Sequence, residues 1–137
     1  MIDKFRYLFR FSGQCGSELK NPSGSITQPW YNASRTVTLD CDIVITVPPN
    51  MYVQLTVGIL EVKSGHNSVV VYEKNPPYKT KLPECPESRP PCSYLFRGNQ
   101  IRLRLSVVWD YYSQLAFFAN YTAVRPTTVC LLQFFLG

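Results

Sequence analysis

Histidine is almost missing from this chain of 137 residues, and the one present, His66, lies in the polar turn Ser64-Gly65-His66-Asn67. A solvated turn histidine is no general base without a nucleophile beside it. No Ser/His/Asp pattern and no glycine-rich phosphate loop accompanies it, so the chain is expected not to be an enzyme. The closest carboxylate couple, Asp40 and Asp42, falls on a strand pattern, where the two share a face at the edge of a sheet and imply no cleft. Long apolar runs are missing too. The longest, Cys130–Leu136, stops well short of the roughly 18 residues of a membrane-spanning helix. Charged residues make up only 17%, and 14 Lys plus Arg against 9 Asp plus Glu leave +5 dispersed along the chain. That surplus suits anionic surfaces or glycans and makes no case for nucleic acid. What the sequence does have is 45% apolar and 14% aromatic residues, enough for one core and too many for a disordered polypeptide.

The cysteines Cys15, Cys41, Cys85, Cys92 and Cys130 show neither the paired CxxC nor the Cys/His spacing of a zinc site. Disulfides are the simpler expectation, two bridges with one cysteine left over. Asn32-Ala33-Ser34 and Asn120-Tyr121-Thr122 fit the N-glycosylation rule, whereas proline in the middle position disqualifies Asn21-Pro22-Ser23. Arg6 and Arg10 interrupt the apolar start, so no signal peptide is read there. The expectation is a fragment, or an incomplete gene reading, of a larger secretory-pathway protein, in which an oxidised module does not meet nucleic acid.

Alternation dominates the pattern. Cys41, Ile43, Ile45 and Val47 point one way, and Met51, Val53, Leu55 and Val57 repeat the period after Pro48-Pro49-Asn50, giving two strands joined by a proline turn. Ser68–Tyr72, Ile101–Val107 and Leu115–Tyr121 are further strands with one wet side. No proline-free segment of ten or more residues carries a helical apolar stripe. Short strands punctuated by Pro, Gly and Asn predict an all-β fold, a two-sheet antiparallel β-sandwich.

Cys15-Gly16, then Gly24-Ser25-Ile26-Thr27-Gln28-Pro29-Trp30-Tyr31, then Asp40-Cys41-Asp42-Ile43 resembles the opening of a CUB domain. Asn99–Leu105 resembles that family's penultimate strand, Asp110 falls near its Ser-Asp loop, and Ala116–Tyr121 resembles its last strand. The resemblance spans about residues 15–123. It implies a jelly-roll sandwich, and it pairs Cys15 with Cys41. The family's second bridge is degenerate: its first cysteine is absent, which leaves Cys85 and Cys92 to close a local loop around Pro86–Pro91 and leaves Cys130 over. Residues 1–14 are then an N-terminal extension, an edge strand or the tail of a preceding segment. Residues 124–137 are a C-terminal extension whose place in the folded protein the sequence does not decide.

Many CUB domains hold calcium, and the resemblance places the ligand positions at Glu61, Asn67 and Asp110. Calcium affinity follows carboxylate count and rigidity, and an amide at position 67 makes this a degenerate site, so no cofactor is expected and binding is expected to be calcium-independent. Trp109, Tyr111 and Tyr112 form an aromatic cluster suited to recognising another extracellular protein, with the loops Glu61–Asn67 and Trp109–Ser113 as the recognition end. Arg97, Arg102 and Arg104, with the lysines of Lys74–Pro83, form a basic group that suits a sulfated glycan, as in the spermadhesins, lone CUB domains that the chain is similar to under this alternative. The competing reading of those arginines is a solvated strand face whose long stems cover apolar area. Membrane association is expected only through parts of a parent protein outside this segment.

Overall fold

The structure, a computed structural model, describes residues 16–27, 37–62, 67–74, 77–109 and 115–126. These form nine strands: β1 (Glu18–Leu19), β2 (Ser23–Thr27), β3 (Val37–Thr46), β4 (Tyr52–Val62), β5 (Ser68–Glu73), β6 (Lys79–Lys81), β7 (Cys92–Phe96), β8 (Gln100–Trp109) and β9 (Leu115–Val124). One sheet has the order β1-β3-β8-β5-β6 and the other β2-β9-β4-β7. All pairings are antiparallel except β1 with β3, which run parallel. The two-sheet sandwich is the expected architecture.

The core is the alternation made physical. Ile43, Ile45, Leu103, Leu105, Val69 and Val71 leave one sheet inward, and they meet Ile26, Val53, Leu55, Val57, Phe117 and Ala119 from the other, all at 0–1% exposure. Each such Val, Leu, Ile or Phe side chain contributes about 1.5–3 kcal/mol on leaving water. Even-numbered neighbours stay outside: Arg102 and Arg104 are exposed between buried Ile101, Leu103 and Leu105. On β4 the period slips once, where the register shifts between Val57 and Ile59, so that Leu60 rather than Ile59 is buried.

The proline turn does something the alternation does not reveal. Strands β3 and β4 are not paired with each other; they lie in different sheets, and Pro48-Pro49-Asn50 carries the chain across. Met51 N–H closes the turn on the Pro48 carbonyl at 3.2 Å, and Asn50 takes the left-handed conformation (φ 67°) that asparagine tolerates. Nor is Asp42 at a sheet edge. Gly16 N–H donates to its carbonyl at 2.6 Å, because the β1 segment covers that side of β3.

A second crossing closes the opposite side. Leu82 N–H donates to the Val69 carbonyl of β5 at 2.9 Å, and three residues later Cys85 exchanges both backbone hydrogen bonds with Leu60 of β4 at 2.8 Å. Beside it, Val62 N–H donates to Glu84 Oε1 at 3.1 Å. The buried Cys85 is bridged to Cys92, the first residue of β7, so the disulfide joins the crossing segment to the strand that takes over as the neighbour of β4 at Val57.

Tyr121 secures the β2 end. Its ring lies over Gly24, its register partner, and its buried hydroxyl donates to the Asn21 carbonyl at 3.1 Å, with burial pushing the hydroxyl pKa up. A β-carbon at position 24 lies 2.7 Å from Tyr121 Cε1, closer than packed atoms approach.

Two stability predictions follow from these contacts. Gly24→Ala forces Tyr121 off its seat and costs about 1–3 kcal/mol in urea unfolding, with Gly24→Ala/Tyr121→Leu recovering part of the loss. Replacing both Cys85 and Cys92 by alanine removes the constraint on a short loop and costs about 2–3 kcal/mol in the same measurement; an unchanged midpoint contradicts the anchoring role.

Candidate functional site

The register brings the strand ends that border the expected recognition loops to one end of the sandwich. Val62 at the end of β4 lies opposite Leu115 at the start of β9, and Ser68 at the start of β5 lies opposite Ser106. The strand ends that flank positions 63–66 and 110–114 therefore share one end of the sandwich with Val37 and Trp109, which pair. Glu61 is exposed on β4, whereas Asn67 is buried at 1% exposure, immediately before β5. Asp110, Tyr111 and Tyr112 lie outside the described residues, as do Cys15, Cys130 and Asn32. Cys41 is buried and disulfide-bonded. No group of three or more His, Cys, Asp or Glu side chains gathers among the described residues. Nor does a described helix have the length and apolarity to cross a membrane.

The basic residues divide. The paired strands lay Glu18, Val44, Arg102, Tyr72 and Lys79 across the outer face of the five-stranded sheet as one row. Asp42, Arg104, Val70 and Lys81 form the next. Arg102 stacks over the Tyr72 ring, its guanidinium carbon 4.6 Å from the centroid. Arg104 Nε lies 3.4 Å from Asp42 Oδ1, with both side chains over a third exposed, so water screens the pair and it contributes under about 1 kcal/mol. Val70, outward-facing yet only 9% exposed, is flanked by Arg104 and Lys81, whose stems suit such covering. The face is polarised as a result: carboxylates of Glu18, Asp40 and Asp42 on the β1–β3 side, cations of Arg102, Arg104, Lys79 and Lys81 toward β6.

Arg97 does not belong to this face. It follows β7 and, with Lys74 and Glu73, lines an open hollow of about 520 Å³ at the opposite end from the strand ends that flank positions 63–66 and 110–114. Asn99 and Gln100 fasten this hollow's turn to the end of β3 and the residue after it, through Asn99 Nδ2 to the Val47 carbonyl at 3.2 Å and Gln100 Nε2 to Thr46 Oγ1 at 3.1 Å. Lys79 and Lys81, by contrast, are strand residues rather than loop residues, and Tyr72 is a contributor that sequence reasoning missed. Its position next to the inward-facing Val71 on β5 marks it as a candidate for the outer face, but the arginine beside it comes from another strand.

The outer face of the four-stranded sheet differs in kind. Its central strands present Asn120, flanked by Ser25 on β2 and Thr56 on β4, and Ser25 Oγ donates to Asn120 Oδ1 at 2.8 Å. Phe118 is 38% exposed on the same face.

Comparison with known proteins agrees with this architecture. The CUB domain family model matches residues 15–121. Among solved structures, the extracellular region of zebrafish Gpr126/Adgrg6 aligns with a TM-score of 0.60 at 21% identity, over 79% of this chain and 14% of that one. The CUB1-EGF-CUB2 segment of rat MASP-1 aligns at TM-score 0.54 and 21% identity, over 79% and 42%. The MASP-1 CUB2 domain bound to Ca2+ aligns at 0.57 and 13%, over 79% and 98%. This chain thus spans 14% and 42% of the first two structures. No curated protein matches its sequence.

Proposed function

The chain belongs to the CUB domain family, and on that premise we propose that it is a non-catalytic recognition module of a larger extracellular protein, binding a protein partner without calcium. Asn67 carries this reading. A calcium site is built from six to eight oxygens, with carboxylate charge setting the affinity. At the position where the family supplies a carboxylate, this chain has a neutral amide, buried at 1% exposure before β5. Glu61, exposed at the end of β4, and Asp110 are the anionic members of the set, so a cation would meet two carboxylates rather than three. The family's MASP-1 CUB2 domain is a calcium-bound relative; the donor set here fits the ion poorly.

Recognition then falls to the loops Glu61–Asn67 and Trp109–Ser113, with Trp109, Tyr111 and Tyr112 as anchors. Aromatic side chains with a polar tip offer large contact area at a small cost in conformational entropy. Extracellular placement is supported by the family, by the disulfide Cys85–Cys92 and by the extracellular region to which the chain is similar.

One specific observation favours a second reading, a sulfated glycan as ligand: Arg102, Lys79 and Lys81 share the β8–β5–β6 half of a face, and among the described residues none of the three is in a salt bridge. Repeated cations at strand spacing suit a repeated sulfate better than a folded protein surface.

Two measurements test these readings. The thermal midpoint of the oxidised protein is expected to be the same in millimolar calcium and in chelator, since a native-state ligand raises stability by RT ln(1 + [L]/Kd). A rise that vanishes in Glu61→Ala and Asp110→Ala overturns the calcium-independent reading. For the glycan, retention on heparin at physiological salt is expected, with Lys79→Ala/Lys81→Ala/Arg102→Ala eluting early; elution of the unaltered protein at low salt removes that alternative.

A further inference from the structure

Strand β9 carries Phe118, Asn120 and Thr122 at period two, so all three belong to the outer face of the four-stranded sheet, and all three are exposed. Asn120 and Thr122 are the acceptor and the hydroxyl position of a sequon. Tyr121 between them is buried in the core and presents nothing to the surface. On either side of Asn120 stand the small hydroxyl residues Ser25 and Thr56, which leave room above the sheet. The bond from Ser25 engages the amide oxygen, leaving the nitrogen, the atom that takes a sugar, outside that contact.

Phe118 is the independent observation. Phe118 is 38% exposed, an apolar ring left open to solvent on a face whose neighbouring positions on β9 are Asn120 and Thr122. Its ring lies against Gly58, where a β-carbon would sit 3.3 Å from Phe118 Cδ1, so the missing side chain of Gly58 makes the seat for the ring. Ile59 of β4 and Thr27 of β2 are its register partners. The ring is held about 7 Å along the strand from Asn120, within reach of the first sugar of an N-linked glycan. Sugar C–H groups carry the partial positive charge that the face of an aromatic quadrupole attracts.

We propose that Asn120 is N-glycosylated and that its first N-acetylglucosamine packs on the Phe118 ring, so that sugar covers the outer face of the four-stranded sheet. This rests on the extracellular reading above. In the modification, Asn120 Nδ2 loses a proton and bonds to C1 of the sugar, which leaves a lipid-linked pyrophosphate donor. The consequence for recognition is geometric. A protein partner is directed to the loop end or to the charged five-stranded face, because the four-stranded face is already occupied.

The test uses the full chain secreted behind an added leader from cells that make high-mannose glycans. Peptide mass analysis is expected to find sugar on Asn120. In an Asn32→Gln background, glycans are trimmed enzymatically to a single N-acetylglucosamine. The trimmed protein is expected to melt about 2–4 °C above its Thr122→Val counterpart, which keeps Asn120 but cannot be glycosylated. In Phe118→Ala the same comparison is expected to show no gain, and in Phe118→Leu, which keeps apolar bulk without a π-face, only a small one. Asn120 found bare while Asn32 carries sugar overturns the proposal and leaves the extracellular reading standing. A gain that survives in Phe118→Ala overturns the packing of sugar on the ring. A chain that folds yet acquires no sugar at either sequon counts against both.

Discussion

The domain depends on two sheets each having one apolar face that must be hidden from water. Ile101, Leu103 and Leu105 on β8 face Leu55, Phe117 and their neighbours across the sandwich, while Arg102 and Arg104 are held out. A slip of one residue in the β3–β8 ladder would turn both arginines inward, and a charge buried without a partner costs several kcal/mol. Burial of the inner rows therefore sets the outer rows as well. The arrangement of charge and aromatic rings on the surface is a by-product of packing the interior.

Because the inner faces are alike and the outer faces are not, the molecule has distinct sides. One is polarised, with carboxylates toward β1 and β3 and cations toward β6. The other is nearly uncharged at its centre, built from Ser25, Thr56, Asn120 and Phe118. The ends differ too: one gathers the ends of β4 and β8, the other is tied down by the Asn99 and Gln100 contacts to the end of β3 and the residue after it. The Cys85–Cys92 bridge lies between these regions, where the chain passes from one sheet to the other, and it holds the flank of β4 where β7 no longer covers it.

Strands with a buried row were legible in the sequence: the alternations at Cys41–Val47, Met51–Val57, Ser68–Tyr72, Ile101–Val107 and Leu115–Tyr121 all fall on strands of the structure. β6 was not legible, because Lys79–Lys81 buries nothing and is a strand only through its bonds to β5. β1 is too short to carry a period, and β2, with its single fully buried Ile26, is barely longer in pattern. The polar row containing Phe118 escaped notice for a related reason. Attention to Phe117, Ala119 and Tyr121 as the inward set leaves the outward set defined only by subtraction.

The sequence by itself determined the fold class, the family resemblance and the residue types available for recognition, because strand period, turn chemistry and cysteine spacing are local properties. Tertiary structure decided which local features meet. It placed Lys79 and Lys81 with Arg102 and Arg104, separated Arg97 from them, sent β3 and β4 to different sheets, and set Tyr121 over Gly24. Each of these is a contact between residues distant in the chain, chosen by the register that buries the most apolar surface, and no local pattern encodes which distant row will lie alongside.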